Sequence, residues 1–298
     1  MSTTYTFNRF MRMLVRQHRI NGHQRLSETY SSALRSFEGF TQGKEVELKE
    51  MTPGLVEDYE EWLLSRHVSR NTVSFYMRIL RAAYNRAVDN GLTRQRAPFK
   101  HVYTGVDKTR KRALGIASIK RLKSLELNGT PALARDLFLF SFYTRGMSFI
   151  DMALLRPENI IDGSLRYTRR KTGQTLVIRW ESCMQEIVDR YPANPNGFLL
   201  PVITRRGVDF IRQYRTCLYR VNRELHVLAG LIKSPFPLTT YVARHSWASI
   251  AYSRDVPLSV ISEGMGHDSE RTTKIYLDAI NNARVDRANR MVIRLLGS

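Results

Sequence analysis

Arg244, His267 and Tyr276 follow one another near the end of a 298-residue chain, within Tyr241-Val-Ala-Arg244-His245-Ser246, Gly264-Met-Gly-His267 and a final Tyr276. A guanidinium, an imidazole and a phenol are the groups that phosphodiester transfer through a tyrosine requires. The guanidinium neutralises phosphate oxygens, the imidazole holds an oxygen or moves a proton, and the phenol attacks phosphorus. The chemistry must overcome repulsion between the phosphate's charge and the nucleophile. Metal-dependent nucleases meet that need with clustered carboxylates. Here the densest acidic group, Glu57, Asp58, Glu60 and Glu61, falls on an exposed helix face. Arginines are the alternative, because the planar fork bonds two phosphate oxygens at once.

The bulk composition agrees with such a substrate. Lys and Arg number 47 against 27 Asp and Glu, for a net charge of +20. That excess favours a polyanionic partner, and its spread along the chain suggests a grip from several sides; composition alone leaves a ribosome-associated or merely basic protein equally open. Cys183 and Cys217 have no paired spacing, which argues against zinc or a disulfide framework and for a reducing cytosol. The N-terminus lacks an apolar signal core, and no run approaches the ~18 apolar residues of a membrane span. The expectation is a soluble, cytoplasmic, nucleoid-associated protein that needs no cofactor.

The elements that must position these groups are mostly helical. Periodicity predicts helices over 3–18, 27–40, from Thr52-Pro53 onward, and 69–90, where Val73, Tyr76, Leu80, Tyr84 and Val88 face inward. The other face of the last helix shows Arg70, Arg78, Arg81 and Arg86, and some of these, Arg70, Arg78 and Arg81, are read as phosphate contacts rather than a solvated face. From 93 to 112 the pattern breaks into a basic stretch that includes Lys108 and Arg110. It reads as an interdomain linker lying along DNA, with domains over 1–105 and 113–298 joined by 106–112. The second part opens with helices over 118–127 and 131–155. Two short strands, 164–170 and 174–180, follow as a hairpin with Lys171 at its tip. Helices return over 181–191, 207–230, 240–253, 258–265, 270–276 and 281–296. Arg205, Arg206, Arg212 and Arg215 surround the start near Gly207, where backbone N–H groups can hold a phosphate.

With these residues in view, the chain resembles the tyrosine recombinase family, the phage-integrase class of site-specific DNA recombinases, over essentially its whole length. Ala243-Arg244-His245-Ser246, Gly266-His267 and Tyr276 carry the resemblance, with Thr272-Thr273-Lys274-Ile275 leading into the tyrosine. It implies a mainly α chain with a small β-hairpin or sheet, a DNA breaking–rejoining fold with a helical core-binding domain and a mixed α/β catalytic domain. By resemblance Arg244 is the second catalytic arginine, His267 the late histidine, and Tyr276 the nucleophile that forms a 3′-phosphotyrosyl link. Lys171 matches the hairpin lysine that protonates the departing 5′ oxygen, and Arg169 and Arg170 beside it are read as DNA contacts.

Two positions depart from the family pattern. The histidine usual three residues before the second arginine is Tyr241, a phenol that donates a hydrogen bond but does not readily accept a proton near neutral pH. Its neighbour His245 turns about 100° away on a helix and reads as buried scaffold. Aligning Asp151 and Leu154-Leu155 with the family places Ser148 at the first arginine. Arg145 lies three residues earlier in Thr144-Arg145-Gly146-Met147-Ser148, one helical turn back and on the same face. Either Arg145 replaces the first arginine, with Asp151 orienting it or fixing the helix, or Ser148 alone occupies the site. This segment looks like the Bacteroides-type branch.

The resemblance further implies double-stranded recombination sites as partners, clamped between the two domains, a homo-tetramer in the synaptic complex, accessory DNA-bending proteins, and chemistry free of metal and ATP. Segment 281–296 either docks on a neighbouring protomer or packs on its own domain. The rival readings are an inactive site-specific DNA-binding protein and a type IB topoisomerase. The short N-terminus tilts the reaction toward inversion or resolution over large phage-type integration.

Overall fold

The structure is a computed structural model that describes residues 5–107, 112–267, 269, 270 and 273. The chain divides into two compact units, Met1–Thr109 and Arg110–Ser298.

In the first unit the sequence signals translate directly into helices α1 (Phe7–Ile20), α2 (Gln24–Phe40), α3 (Pro53–Ser65) and α4 (Arg70–Asp89). Thr6 and Thr52 cap α1 and α3 by accepting from the Arg9 and Leu55 amides at 3.2 and 3.3 Å, the usual service of a hydroxyl at this position. Val73, Met77, Leu80, Tyr84 and Ala87 recur every three to four residues along α4 and are all buried. They pack with an aromatic cluster in which Phe37 meets Phe7 and Tyr59 edge-on. The chain leaving this unit is pinned: the Tyr103 amide donates to Glu60, and Asn71 holds both the amide and carbonyl of Asp107.

The second unit contains α5 (Ile116–Lys123), α6 (Gly129–Tyr143), α7 (Phe149–Ala153), β1 (Ile160–Ile161), β2 (Ser164–Thr168), β3 (Thr175–Arg179), α8 (Ser182–Asp189), α9 (Phe210–Leu231), α10 (Thr240–Ser253) and α11 (Leu258–Met265). Helix α6 is buried at every residue from Ala134 to Ser141 and packs against α9 and α10. Such all-round burial suits a central helix. The three strands form an antiparallel sheet in the order β1-β2-β3, with Leu165 opposite Ile178 and Tyr167 opposite Leu176. Those four side chains face the core while their neighbours alternate outward, as a half-buried hairpin requires. The N-terminus of α10 is held by Asn222 of α9, whose side chain accepts from the Thr240 amide at 2.9 Å.

Two expectations are corrected. The helix expected over 131–155 is two helices, because the chain turns left-handed at Arg145 and Gly146. Arg145 and Ser148 therefore do not share a helical face. The helix expected from Gly207 starts at Phe210, and the Asp209 carboxylate accepts from the Arg212 amide at 2.7 Å. A carboxylate already occupies the place where a phosphate was expected.

Candidate active site

Two helix ends build the site. At the end of α6 the Gly146 amide donates to Ser141 O at 2.7 Å and the Arg145 amide to Phe142 O at 3.2 Å. At the end of α11 the His267 amide donates to Ser262 O at 3.0 Å and the Gly266 amide to Glu263 O at 2.8 Å. Both are the paired-bond helix stop whose turning residue must be left-handed. In α11 that residue is glycine, with φ 62°, but in α6 it is Arg145, with φ 59°. A side chain in this conformation costs about 1–2 kcal/mol, a strain typical of functional positions.

Arg244, on α10, joins the two ends. Its Nη1 donates to Gly146 O at 2.8 Å, and its Nη2 to Met265 O at 2.7 Å, with His267 Nε2 2.8 Å from the same Nη2. The guanidinium is thereby fixed in a residue only 4% exposed. Arg145 points to the same place: a Cβ built on Gly264 would lie 3.5 Å from Arg145 Cδ.

The hairpin approaches from the other side. Arg169 was expected to be a surface DNA contact, yet it is 6% exposed and its Nη1 donates to Gly266 O. Its Cδ packs so closely on Gly266 that a Cβ there would lie 2.7 Å away. The reason is position in the strand pattern: Arg169 follows Tyr167 by two residues and so shares its inward face. The hairpin loop is closed by the Gly173 amide on Arg169 O, which leaves Lys171 exposed at the tip. Asp151 ties this loop to α7, accepting from the Arg170 amide at 3.1 Å and from Ser148 Oγ at 2.7 Å. Ser148 is thus a helix cap engaged with Asp151.

The charges explain two titrations. Burial, then Arg244, Arg169 and Lys171, hold His267 down at about 4, so the ring is neutral at pH 7. Tyr167 is pushed up to about 12, first by burial and then by Asp151, while Arg169, Arg244 and Arg145 pull the other way. It remains a neutral phenol among three arginines.

A cavity of about 210 Å³ opens beside these groups, lined in part by Gly146, Ser148, Tyr214, Tyr241 and Arg244. Tyr241 is 50% exposed at its edge. His245 lies inward, with ring centroids 4.7 Å from Tyr241 in an edge-on contact. Of the expected site residues, Arg145, Arg244, His267 and Tyr241 lie together, with Lys171 above them on the hairpin. Tyr276, Lys108, Arg110 and segment 281–296 lie outside the described residues. Arg78 and Arg81 are exposed on α4, whereas Arg70 pairs with Asp107 at 3.6 Å and covers the Tyr103 ring. Arg170 has an exposed side chain. Sequence reasoning passed over Thr273 as a partner of His267; its place on the approach to Tyr276 was the available signal.

Residues 6–102 match the family model of the phage integrase SAM-like domain. A tyrosine recombinase of Pseudothermotoga lettingae is 21% identical over 272 residues, covering 88% of this chain and 90% of that protein. Among solved structures, a lambda integrase dimer bound to a COC′ core site superposes with a TM-score of 0.69 at 15% identity, covering 91% of this chain and 77% of the integrase. A Tn1549 transposon integrase bound to circular intermediate DNA gives 0.68 at 13% identity, over 95% of this chain and 99% of that one. The fold is that of the lambda-integrase-type tyrosine recombinases. Within it, the three arginines and the neutral histidine occupy one side of the second unit, between the ends of α6 and α11 and the hairpin. Among the described residues no helix is long and apolar enough to cross a membrane.

Proposed function

We propose that this chain is a site-specific DNA recombinase that cleaves and rejoins strands through a 3′-phosphotyrosyl link on Tyr276. The observation that carries the reading is the clasped Arg244, held by the carbonyls of both helix ends and flanked by Arg145, Arg169 and His267. A phosphate entering here meets donors already in place, so little reorganisation is needed as charge grows on its oxygens. Arg145 serves as the first arginine, with its backbone strain a consequence of presenting the side chain from a left-handed turn. Lys171 at the hairpin tip delivers a proton to the leaving 5′ oxygen. Tyr241 donates to a phosphate oxygen from the cavity edge. The broken bond's energy stays in the phosphotyrosine, and the freed 5′ hydroxyl attacks the partner strand.

Strand exchange between two duplexes needs four active sites, which supports a homo-tetramer. The Thr144-Arg145-Gly146-Met147-Ser148 segment supports the Bacteroides-type branch. Exposed Arg78, Arg81 and Arg170, together with Lys108 and Arg110, serve phosphate contacts.

The test is covalent capture. Nicked suicide duplexes with a randomised core are incubated with the protein, and adducts are isolated under denaturing conditions and sequenced. The expected result is a defined sequence trapped by wild type, none by Tyr276→Phe, and at least a tenfold loss with Arg145→Ala at unchanged DNA affinity, the order of a lost oxyanion donor (roughly 100-fold in strong cases). Specific binding without any adduct would make this a DNA-binding protein; relaxation of supercoils without site preference would make it a topoisomerase.

A further inference from the structure

His267 is held at both ring nitrogens. Nε2 lies 2.8 Å from Arg244 Nη2, and Nδ1 lies 2.7 Å from Thr273 Oγ1. A guanidinium has donors and no acceptor, so Nε2 must present its lone pair to it. A neutral imidazole has one N–H, which then sits on Nδ1 and donates to Thr273. Thr273 is fully buried, so water does not compete for that bond.

This arrangement suits the free protein and not a bound phosphate. A phosphate oxygen accepts only, and a lone pair on Nε2 would repel it. To hold the oxygen, Nε2 must carry the proton and Nδ1 must become the acceptor. A hydroxyl satisfies either state by rotating about its C–O bond, accepting in one and donating in the other. A carboxylate at position 273 would favour the Nδ1–H form, and an apolar residue would support neither.

We propose that Thr273 is a positioning residue that fixes His267 as the Nδ1–H tautomer in the free protein and, by reversing its own hydrogen bond, permits the Nε2–H tautomer when phosphate takes Arg244. The exchange balances: Nε2 takes a proton from water on the side where phosphate enters, Nδ1 releases one to water in a local opening of its contact with Thr273, and the ring is neutral before and after. Thr273 also stands three residues before Tyr276 in the sequence. The second half of the proposal rests on the strand-transfer reading above; the first half does not.

The experiment uses the full chain with 15N-labelled histidine, as wild type, Thr273→Val and Thr273→Ser. Long-range 15N–1H spectra of His267 distinguish the protonated ring nitrogen from the bare one. Free wild type and Thr273→Ser are expected to show Nδ1 protonated, while Thr273→Val, equal in shape but without the hydroxyl, loses that preference. An Nε2–H ring in the free wild type, or a Thr273→Val spectrum identical to wild type, overturns the proposal whether or not the protein cleaves DNA. On the captured duplex, Thr273→Val is expected to lower the rate of adduct formation at saturating DNA by about tenfold or more, as loss of an orienting partner does elsewhere. Its DNA affinity is expected to stay unchanged, with Thr273→Ser restoring the rate. Equal loss in the serine and valine variants would assign the effect to packing of the methyl group and overturn the role of the hydroxyl. Absence of any wild-type adduct, with the tautomer preference intact, would instead be a failure of the recombinase reading and of the phosphate-bound half.

Discussion

Arg244 donates to the Gly146 carbonyl at 2.8 Å, and a Cβ built on Gly146 would lie 2.6 Å from the Cα of Arg244. Glycine is required twice over at this point, by its φ of 78° and by the backbone pressed against it. The end of α6 and the middle of α10 can approach closely enough to share the guanidinium only because no side chain intervenes.

Gly146→Ala is therefore expected to separate the two helices. The left-handed backbone alone costs about 1–2 kcal/mol, and the clash adds to it. Urea unfolding should show a loss at least that large. Adduct formation should fall further than the DNA affinity does. A variant as stable and active as wild type would show that the two helices do not need this contact.

Arg169 and Arg170 are adjacent in sequence and are expected to behave oppositely. Arg169→Met keeps the aliphatic stem and removes the donor to Gly266 O. Leaving that carbonyl without its partner costs about 1–3 kcal/mol, and the turn carrying His267 loosens, so the cleavage rate drops with little change in binding. Arg170→Met removes an exposed charge, so affinity weakens across sequences and the salt slope falls by about 1. Fluorescence anisotropy against salt, paired with adduct kinetics, separates the two; the reverse pattern would return Arg169 to the surface.

Acidification should weaken the fold through His267. The folded protein holds this ring at about 4, below its ordinary 6.5. Between those values the unfolded chain binds more protons, so stability falls as pH drops through the window and is fully present above it. Melting temperatures at pH 7.5 and 5, for wild type and His267→Gln, should show the larger acid loss in wild type. Parallel losses would mean that other groups carry the effect.

Asp136 is buried on α6 and accepts from Arg135 Nε, Arg190 Nη1 and the Tyr191 hydroxyl, each at 2.9 Å. Its carboxylate anchors the end of α8 to the central helix. Asp136→Ala strands a buried arginine and is expected to cost about 3–5 kcal/mol. Chemical denaturation should report that loss, and a change below 1 kcal/mol would mean that water reaches the cluster.

What was legible in the sequence was local. The spacing of apolar residues in α4, the hydroxyl caps of α1 and α3, and the bounds of α10 and α11 follow from backbone propensity and periodicity, which neighbouring residues set among themselves. The types and order of Arg244, His267 and Tyr276 suggested the phosphodiester chemistry proposed above, because each group's donors and acceptors are intrinsic to it, whereas the protonation of His267 depends on the burial and charges that the fold supplies. The tertiary structure decided what depends on distant partners. It broke the expected 131–155 helix at Arg145, because a left-handed arginine is tolerated only where packing holds it. It turned Arg169 inward onto Gly266, since strand direction and not composition chooses the face a side chain takes. It also brought Asp151 to the hairpin and Thr273 to His267, contacts whose energy arises only once separate elements meet.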